Sequence, residues 1–127
     1  MNASDRKQAS RLRQSLSRLR DEIVQVLEVF LSHDSLVRGS IYELRRKCGK
    51  PNCACASGRT LHSCTAITWS AGGRKRLRSL SPAEAAKLAP QTENFRRFRQ
   101  ARAKLVDLQA QILVVIEQIE VARRQEP

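Results

Sequence analysis

The feature that most constrains the fold of this chain is the clustering of its cysteines. All four lie between positions 48 and 64, and His62 lies among them. The cluster reads Cys48-Gly-Lys-Pro-Asn-Cys53-Ala-Cys55, and Cys64 follows later. Thiolates and an imidazole at such short spacing, next to glycine and proline residues that favour tight turns, are typical of a zinc knuckle. The segment is therefore predicted to fold around a structural zinc ion.

The choice of ligands stays partly open at this point. Cys48, Cys53 and Cys55 are expected to come from the knuckle, and the fourth ligand is either His62 or Cys64. An extended segment points the last two side chains the same way, so spacing does not separate them. A closed shell of four ligands has no position for water, which favours a structural role. Free packed thiols, a disulfide pair and a redox role for Cys53 and Cys55 are the alternatives.

The charge balance indicates a polyanionic partner. The chain has 24 Lys and Arg residues against 12 Asp and Glu residues, a formal net charge of +12. Such an excess favours duplex DNA or RNA, although it can also serve solubility alone. Between Ser35 and Leu80 the only acidic residue is Glu43. The cations of this region that are expected to contact nucleic acid are Arg45, Arg46, Lys47, Lys50, Arg59, Arg74, Lys75, Arg76 and Arg78.

Two segments with heptad spacing flank the cysteine region. Over residues 10–32, apolar residues from Leu12 to Phe30 alternate in steps of three and four and predict a long helix. Ser81-Pro82-Ala83-Glu84 predicts the start of a further helix, because serine caps it and glutamate completes a capping box. Pro90 predicts a break or kink, followed by a long helix over 92–124. Apolar residues at steps of three and four form a line along this helix, called its seam. The seam is predicted to contact a second copy or a partner through Leu105, Leu108, Ile112, Val115 and Ile119.

Short strands are predicted between these helices, over residues 40–44, 63–70 and 74–80. Ala71-Gly72-Gly73 predicts a hairpin turn, because glycine tolerates the positive φ that tight hairpins require. The predicted class is α+β: a small antiparallel sheet of two or three strands with a zinc knuckle, flanked by two long helices that form an antiparallel helical hairpin. The segments 1–34 (N-terminal helix), 35–80 (zinc knuckle and basic hairpin) and 81–127 (C-terminal helical region) are expected to form one domain.

Several function classes are disfavoured by the sequence. It contains no glycine-rich phosphate loop, nucleophile elbow or paired-carboxylate constellation, so an enzyme is not expected. Its apolar stretches are too short to cross a membrane, and its first residues have no apolar signal core. A cytoplasmic protein is therefore expected, associated with the nucleoid if it binds DNA.

The knuckle also carries a family resemblance. The segment Arg38–Gly58, followed by His62, resembles a family of small uncharacterised bacterial zinc-knuckle proteins. They share Cys-Gly-Lys-Pro-x-Cys-x-Cys, a histidine, a Gly-Gly-Lys-x-Arg hairpin and a long helix, and many occur near transposases or mobile elements. The resemblance spans roughly residues 38–108 and implies that Cys48, Cys53, Cys55 and His62 bind zinc. Where the family continues with glycine, proline and tyrosine, this chain has Ser63, Cys64 and Thr65.

These observations predict a zinc-stabilised DNA-binding accessory or regulatory protein associated with a mobile element. The alternatives are a helical interaction or oligomerisation module with a structural zinc, which docks a protein such as a transposase, and an RNA-binding protein. A homo-oligomer is expected because the last helix carries apolar residues outside its seam, which a second copy would cover. These residues are Val106, Leu113, Val114, Ile116 and Val121.

Overall fold

The chain folds into two long helices and one antiparallel sheet. A computed structural model of the chain describes residues 2–127. The predicted α+β class is confirmed, and the sheet has three strands. The elements follow in the order α1 (Ala3–Leu31), β1 (Ser40–Arg46), a short 3₁₀ helix (Ala54–Ser57), β2 (His62–Ala71), β3 (Arg74–Leu80) and α2 (Pro82–Arg123). Neither long helix of this described part has the continuous apolar length that crossing a membrane would need.

The contacts divide the chain into two compact units. The first unit comprises the residues up to His33 together with Arg97–Pro127, and the second comprises Asp34–Arg96. α2 contributes residues to both units. The prediction that the three sequence segments form one domain stays a prediction.

α1 begins seven residues earlier than the predicted start at position 10, because Asn2 caps it. The side chain of Asn2 accepts a hydrogen bond from the backbone N–H of Asp5 at 2.8 Å, and the Asp5 carboxylate accepts one from the N–H of Asn2 at 3.3 Å. This reciprocal pair satisfies donors that the first turn of a helix leaves without partners.

The core of the first unit is built from the seam residues of both helices. Leu19 and Val26 of α1 are buried in one cluster with Ala101 and Leu108 of α2. The rings of Phe30 and Phe98 meet edge to face, with their centroids 4.9 Å apart. The partly buried residues packed against the cluster are Ile23, Phe30, Leu105, Ile112 and Val115.

This core uses most of the surface that the sequence analysis assigned to a partner. Leu108 is only 3 % exposed and contacts its own chain, and Leu105, Ile112 and Val115 pack against the same cluster. The apolar residues outside the seam, in contrast, are exposed: Val106, Leu113, Val114, Ile116 and Val121. Association through the helices stays a prediction, and the exposed surface available for it lies beside the seam.

α2 runs through Pro90 as one helix, so the break predicted there is absent. Proline has no N–H, so the carbonyl of Ala86 loses its usual partner four residues later. Ala86 and Pro90 are both exposed, and water can therefore solvate this carbonyl. The hydroxyl of Thr92 donates a hydrogen bond to the carbonyl of Ala89 at 2.9 Å and supports the same turn.

The predicted capping box at the start of α2 is confirmed. The hydroxyl of Ser81 accepts a hydrogen bond from the N–H of Glu84 at 3.1 Å, and the Glu84 carboxylate accepts one from the N–H of Ser81 at 3.2 Å. Glu84 also forms an ion pair with Arg78 of β3. The hydrogen bond from Arg78, followed by those from Ser81, lowers the pKa of the Glu84 carboxyl below its ordinary value.

The three strands lie in the order β1–β2–β3, and both pairings are antiparallel. β2 and β3 are joined by the predicted turn, in which Gly72 has φ +57° and Gly73 has φ +76°. Both values lie in the left-handed region, which a two-residue hairpin of this kind requires and which glycine adopts without strain. The buried residues of this unit are Cys55, Ala66, Ile67 and Leu80.

Candidate metal centre

The candidate ligands meet where β1 ends and β2 begins. Arg46, the last residue of β1, lies opposite His62, the first residue of β2. Cys48 lies two residues after Arg46. The chain then leaves the sheet and returns to it through the 3₁₀ helix, which contains Cys55. Antiparallel pairing therefore holds both ends of the loop close together.

Backbone hydrogen bonds shape the loop into a compact knuckle. The N–H of Cys53 donates to the carbonyl of Lys50 at 3.2 Å and closes a turn over the intervening Pro-Asn pair. The N–H of Ala56 donates to the carbonyl of Cys53, and that of Gly58 donates to the carbonyl of Cys55, each at 3.0 Å. These bonds fold the segment that carries Cys53 and Cys55 into consecutive tight turns.

The ligand atoms of four residues converge in this knuckle. One ligand atom from each of Cys48, Cys53, Cys55 and His62 lies within 4.8 Å of the others. The Cys53 Sγ is 3.2 Å from His62 Nε2, and the Cys55 Sγ is 3.5 Å from the Cys48 Sγ. A tetrahedral zinc ion with bonds of about 2.3 Å to sulfur and about 2.0–2.1 Å to nitrogen needs ligand atoms roughly 3.5–3.8 Å apart. The cluster therefore fits a zinc ion of the Cys₃His type.

Hydrogen bonds to the sulfur atoms also suit bound thiolates. The backbone N–H of Cys48 donates to the Cys55 Sγ at 3.3 Å. The backbone N–H of Cys55 is the largest influence on the pKa of the Cys53 thiol and lowers it, and the thiols of Cys55 and Cys48 lower it further. Deprotonation of Cys53, which metal binding requires, is favoured by these donors.

The environment of Cys55 opposes its ionisation until a cation is present. The N–H of Cys48 acts to lower the pKa of the Cys55 thiol, but burial and the neighbouring thiols of Cys53 and Cys48 outweigh it and raise the pKa. Cys55 is only 1 % exposed. A divalent cation at the centre of the cluster would compensate both the burial and the crowding of negative charge.

Cys64 lies outside the group of four ligand candidates. It shares a face of β2 with His62, as the sequence analysis expected of an extended segment, and it lies opposite Leu44 of β1. Its side chain is half-buried and lines a groove with Cys48 and His62, which Arg46 and Lys47 also border. The convergence of ligand atoms thus separates the two candidates that spacing left equal, and it favours His62.

The strand register distributes the predicted nucleic-acid contacts over both faces of the sheet. All nine of these basic residues are exposed. Arg74, Arg76 and Arg78 project from one face of β3, because side chains alternate along a strand. Arg45 lies on that face of β1, whereas Arg46 and Lys75 lie on the opposite face, which also carries His62.

Comparison with known proteins places the chain in a family. Residues 7–90 match DUF6788, which is described as a domain of unknown function. The chain belongs to this family. The DUF6788 match includes most of α1, the whole sheet and every candidate ligand. No curated protein and no solved structure matches the chain. Membership in a family without an assigned function agrees with the resemblance drawn from the knuckle.

The assignment of the fourth ligand can be tested by comparing His62→Ala with Cys64→Ala. The first substitution is expected to weaken zinc binding by more than the 10–100-fold that loss of an outer-shell partner costs, because it removes a direct ligand. The second is expected to leave the affinity nearly unchanged. Competition against a chelating dye measures both affinities. Loss of zinc from Cys64→Ala with retention by His62→Ala would reassign the ligand.

Proposed function

We propose that the chain is a zinc-stabilised protein without enzymatic activity that binds duplex DNA as an accessory or regulatory factor of a mobile element. The observation that carries the proposal is the excess of exposed cations on the unit that also contains the metal cluster. Lys and Arg side chains in such an array bind phosphates and release counterions, so that affinity is high at low salt.

The β2–β3 hairpin is the part of this unit best suited to a groove. The major groove of B-DNA is about 12 Å wide and admits a two-stranded β-ribbon. Residues 72–79 of the hairpin are all exposed. Within residues 2–127, the Arg78 side chain is engaged by Glu84, whereas the side chains of Arg74 and Arg76 have no ion-pair partner. These two guanidinium groups are available to phosphates or to guanine edges.

A structural metal site agrees with the proposed lack of enzymatic activity. A Cys₃His set fills all four positions of a tetrahedral zinc ion, so no position is open to a reacting water molecule. The nearest acidic residue in sequence, Glu43, accepts a hydrogen bond from the hydroxyl of Ser63 on the opposite strand. The zinc ion would then contribute folding free energy to a loop, residues 47–61, in which Cys55 is the one buried residue.

The proposal is tested with the double substitution R74A/R76A. We expect DNA affinity to fall about tenfold or more at low salt, and the slope of log K against log salt to decrease by about two, because two phosphate contacts are lost. Fluorescence anisotropy with a labelled duplex measures both quantities. An unchanged affinity would show that the hairpin does not contact DNA.

The matched control is R11A/R13A, which removes the same charge from exposed positions on α1. It is expected to change the affinity much less than R74A/R76A. Equal losses from the two variants would indicate unspecific attraction to the net charge and contradict the proposed role of the hairpin. Tighter binding of an RNA probe than of the duplex would favour RNA as the partner.

A second candidate function is a protein interaction module, with a transposase or another regulator as its partner. It is favoured by the exposed apolar side chains on α2, of which Val106, Leu113 and Val121 are each more than 60 % exposed. Exposed apolar surface of this kind marks contact sites.

A further inference from the structure

α2 carries a second line of exposed side chains beside its core seam. Val106, Leu113 and Ile116 each follow a core-packed residue by one position and are 61 %, 62 % and 46 % exposed. Continued in steps of three and four, the line begins at two arginines and ends at a glutamate. We call it the 99–120 stripe, and it consists of Arg99, Arg102, Val106, Gln109, Leu113, Ile116 and Glu120, all exposed.

The stripe is complementary to itself when it is read in the opposite direction. If two copies of α2 lie antiparallel with a two-fold axis between Gln109 and Ala110, Val106 of one copy lies opposite Leu113 of the other. The same register places Arg99 opposite Glu120. Both pairs occur twice about the axis, as a two-fold interface requires.

The charges along α2 favour this orientation. The segment 96–104 has five cations and no acid, whereas the segment 105–122 has the acids Asp107, Glu117 and Glu120 and no cation. Antiparallel helices set the basic segment of each copy against the acidic segment of the other, whereas parallel helices would set like charges together. Within residues 2–127, neither Arg99 nor Glu120 has an ion-pair partner.

α1 widens the same face of the first unit. Its residues Val24, Leu27 and Leu31 are 54 %, 41 % and 69 % exposed, and each follows a core residue by one position. The contacts run in opposite order along the two helices, since Phe30 meets Phe98 whereas Leu19 lines a groove with Gln111. Because α1 and α2 run in opposite directions, the residues that follow core residues by one position lie on the same side of the helix pair in both helices.

We propose that the 99–120 stripe is the interface between two copies of this chain, which associate through antiparallel α2 helices about a two-fold axis between Gln109 and Ala110. A second copy is the occupant because an identical stripe, read in the opposite direction, sets Val106 against Leu113 and Arg99 against Glu120 at both ends. The 22 residues from Arg99 to Glu120 span about 30 Å, and α1 and α2 side by side are about 20 Å wide, because each helix is about 10 Å across. A face of this size approaches the roughly 800 Å² per partner that a stable interface buries. The proposal does not depend on DNA binding.

A charge-reversal cycle tests this register. Arg99→Glu sets a carboxylate against Glu120 of the second copy, and Glu120→Arg sets two guanidinium groups together, twice per dimer in each case. Each single reversal is expected to raise the dimer Kd about tenfold or more, and the double reversal is expected to restore it to within about threefold. Sedimentation equilibrium measures the Kd, with an expected limiting mass of twice the 14.4 kDa of the chain.

Two further variants complete the test. Lys87→Glu reverses an exposed charge on α2 outside both the stripe and the basic segment 96–104, and it is expected to leave the Kd within about threefold of the native value. Leu113→Glu, at an exposed position, is expected to leave the helical circular dichroism unchanged and to abolish the dimer. A native chain that is monomeric at 100 µM or more, roughly a hundred times the Kd expected of a modest interface, would overturn the proposal. Failure of the double reversal to restore the Kd would overturn it as well.

Discussion

Replacing Cys48 with serine, or removing the metal with a strong chelator, is expected to unfold the loop between β1 and β2. The apparent binding free energy of a structural zinc ion is about 10–16 kcal/mol, as large as the whole stability of a typical domain. Cys48 is exposed, so the substitution removes a ligand and little packing. Trypsin should then cut rapidly after Lys47 and Arg59, and the zinc content should fall from about one ion per chain to none.

The control for this experiment is Cys64→Ser, which changes a thiol outside the ligand cluster. It should keep both the zinc and the resistance to trypsin. A native chain that carries no zinc when purified, and that resists trypsin equally with and without chelator, would contradict the metal centre. The same result would remove the argument for a structural zinc in the proposed function.

Leu108→Ala is expected to lower the free energy of unfolding by about 2–5 kcal/mol. Leu108 is 3 % exposed and lies in the cluster formed with Leu19, Val26 and Ala101. Truncation removes apolar contacts and leaves a cavity that the flanking helices fill only in part. Urea unfolding, followed by helical circular dichroism at a fixed protein concentration, measures the change.

The matched control is Val114→Ala on the same helix. Val114 is 54 % exposed and lies outside the 99–120 stripe, so its truncation should change the free energy of unfolding by no more than about 0.5 kcal/mol. Equal effects of the two substitutions would show that Leu108 is not part of a packed core in solution.

The regular elements were largely predictable because their signals are local. The alternation of three and four between Leu12 and Phe30 includes the four side chains of α1 that the structure packs into the core, which are Leu19, Ile23, Val26 and Phe30. The glycine pair at the hairpin turn and the Ser81–Glu84 capping box concern only a few neighbouring residues, and both predictions are confirmed. The start of α1 was predicted too late because the periodic apolar pattern begins only at Leu12, whereas the Asn2 capping box starts the helix at Ala3.

Predictions that needed the environment of a residue were less complete. Pro90 was expected to interrupt α2, but its exposed position lets water satisfy the carbonyl that proline leaves free. The seam residues of α2 were assigned to a partner, yet Leu108 is buried against α1 of its own chain. Heptad spacing identifies an apolar seam, but it does not say which helix covers that seam.

Composition and spacing were sufficient to predict a basic α+β chain with a thiol-rich metal loop. These features depend on residue types and on the helical and strand periods, and both can be read directly from the sequence. Spacing left His62 and Cys64 equal and the family resemblance implied His62, whereas the geometric reason for His62 came from the fold. Both side chains project from the same face of β2, and the pairing of Arg46 with His62 brings the imidazole to the thiols of the returning loop. That choice depends on distances between residues far apart in the chain, which exist only after the strands have paired.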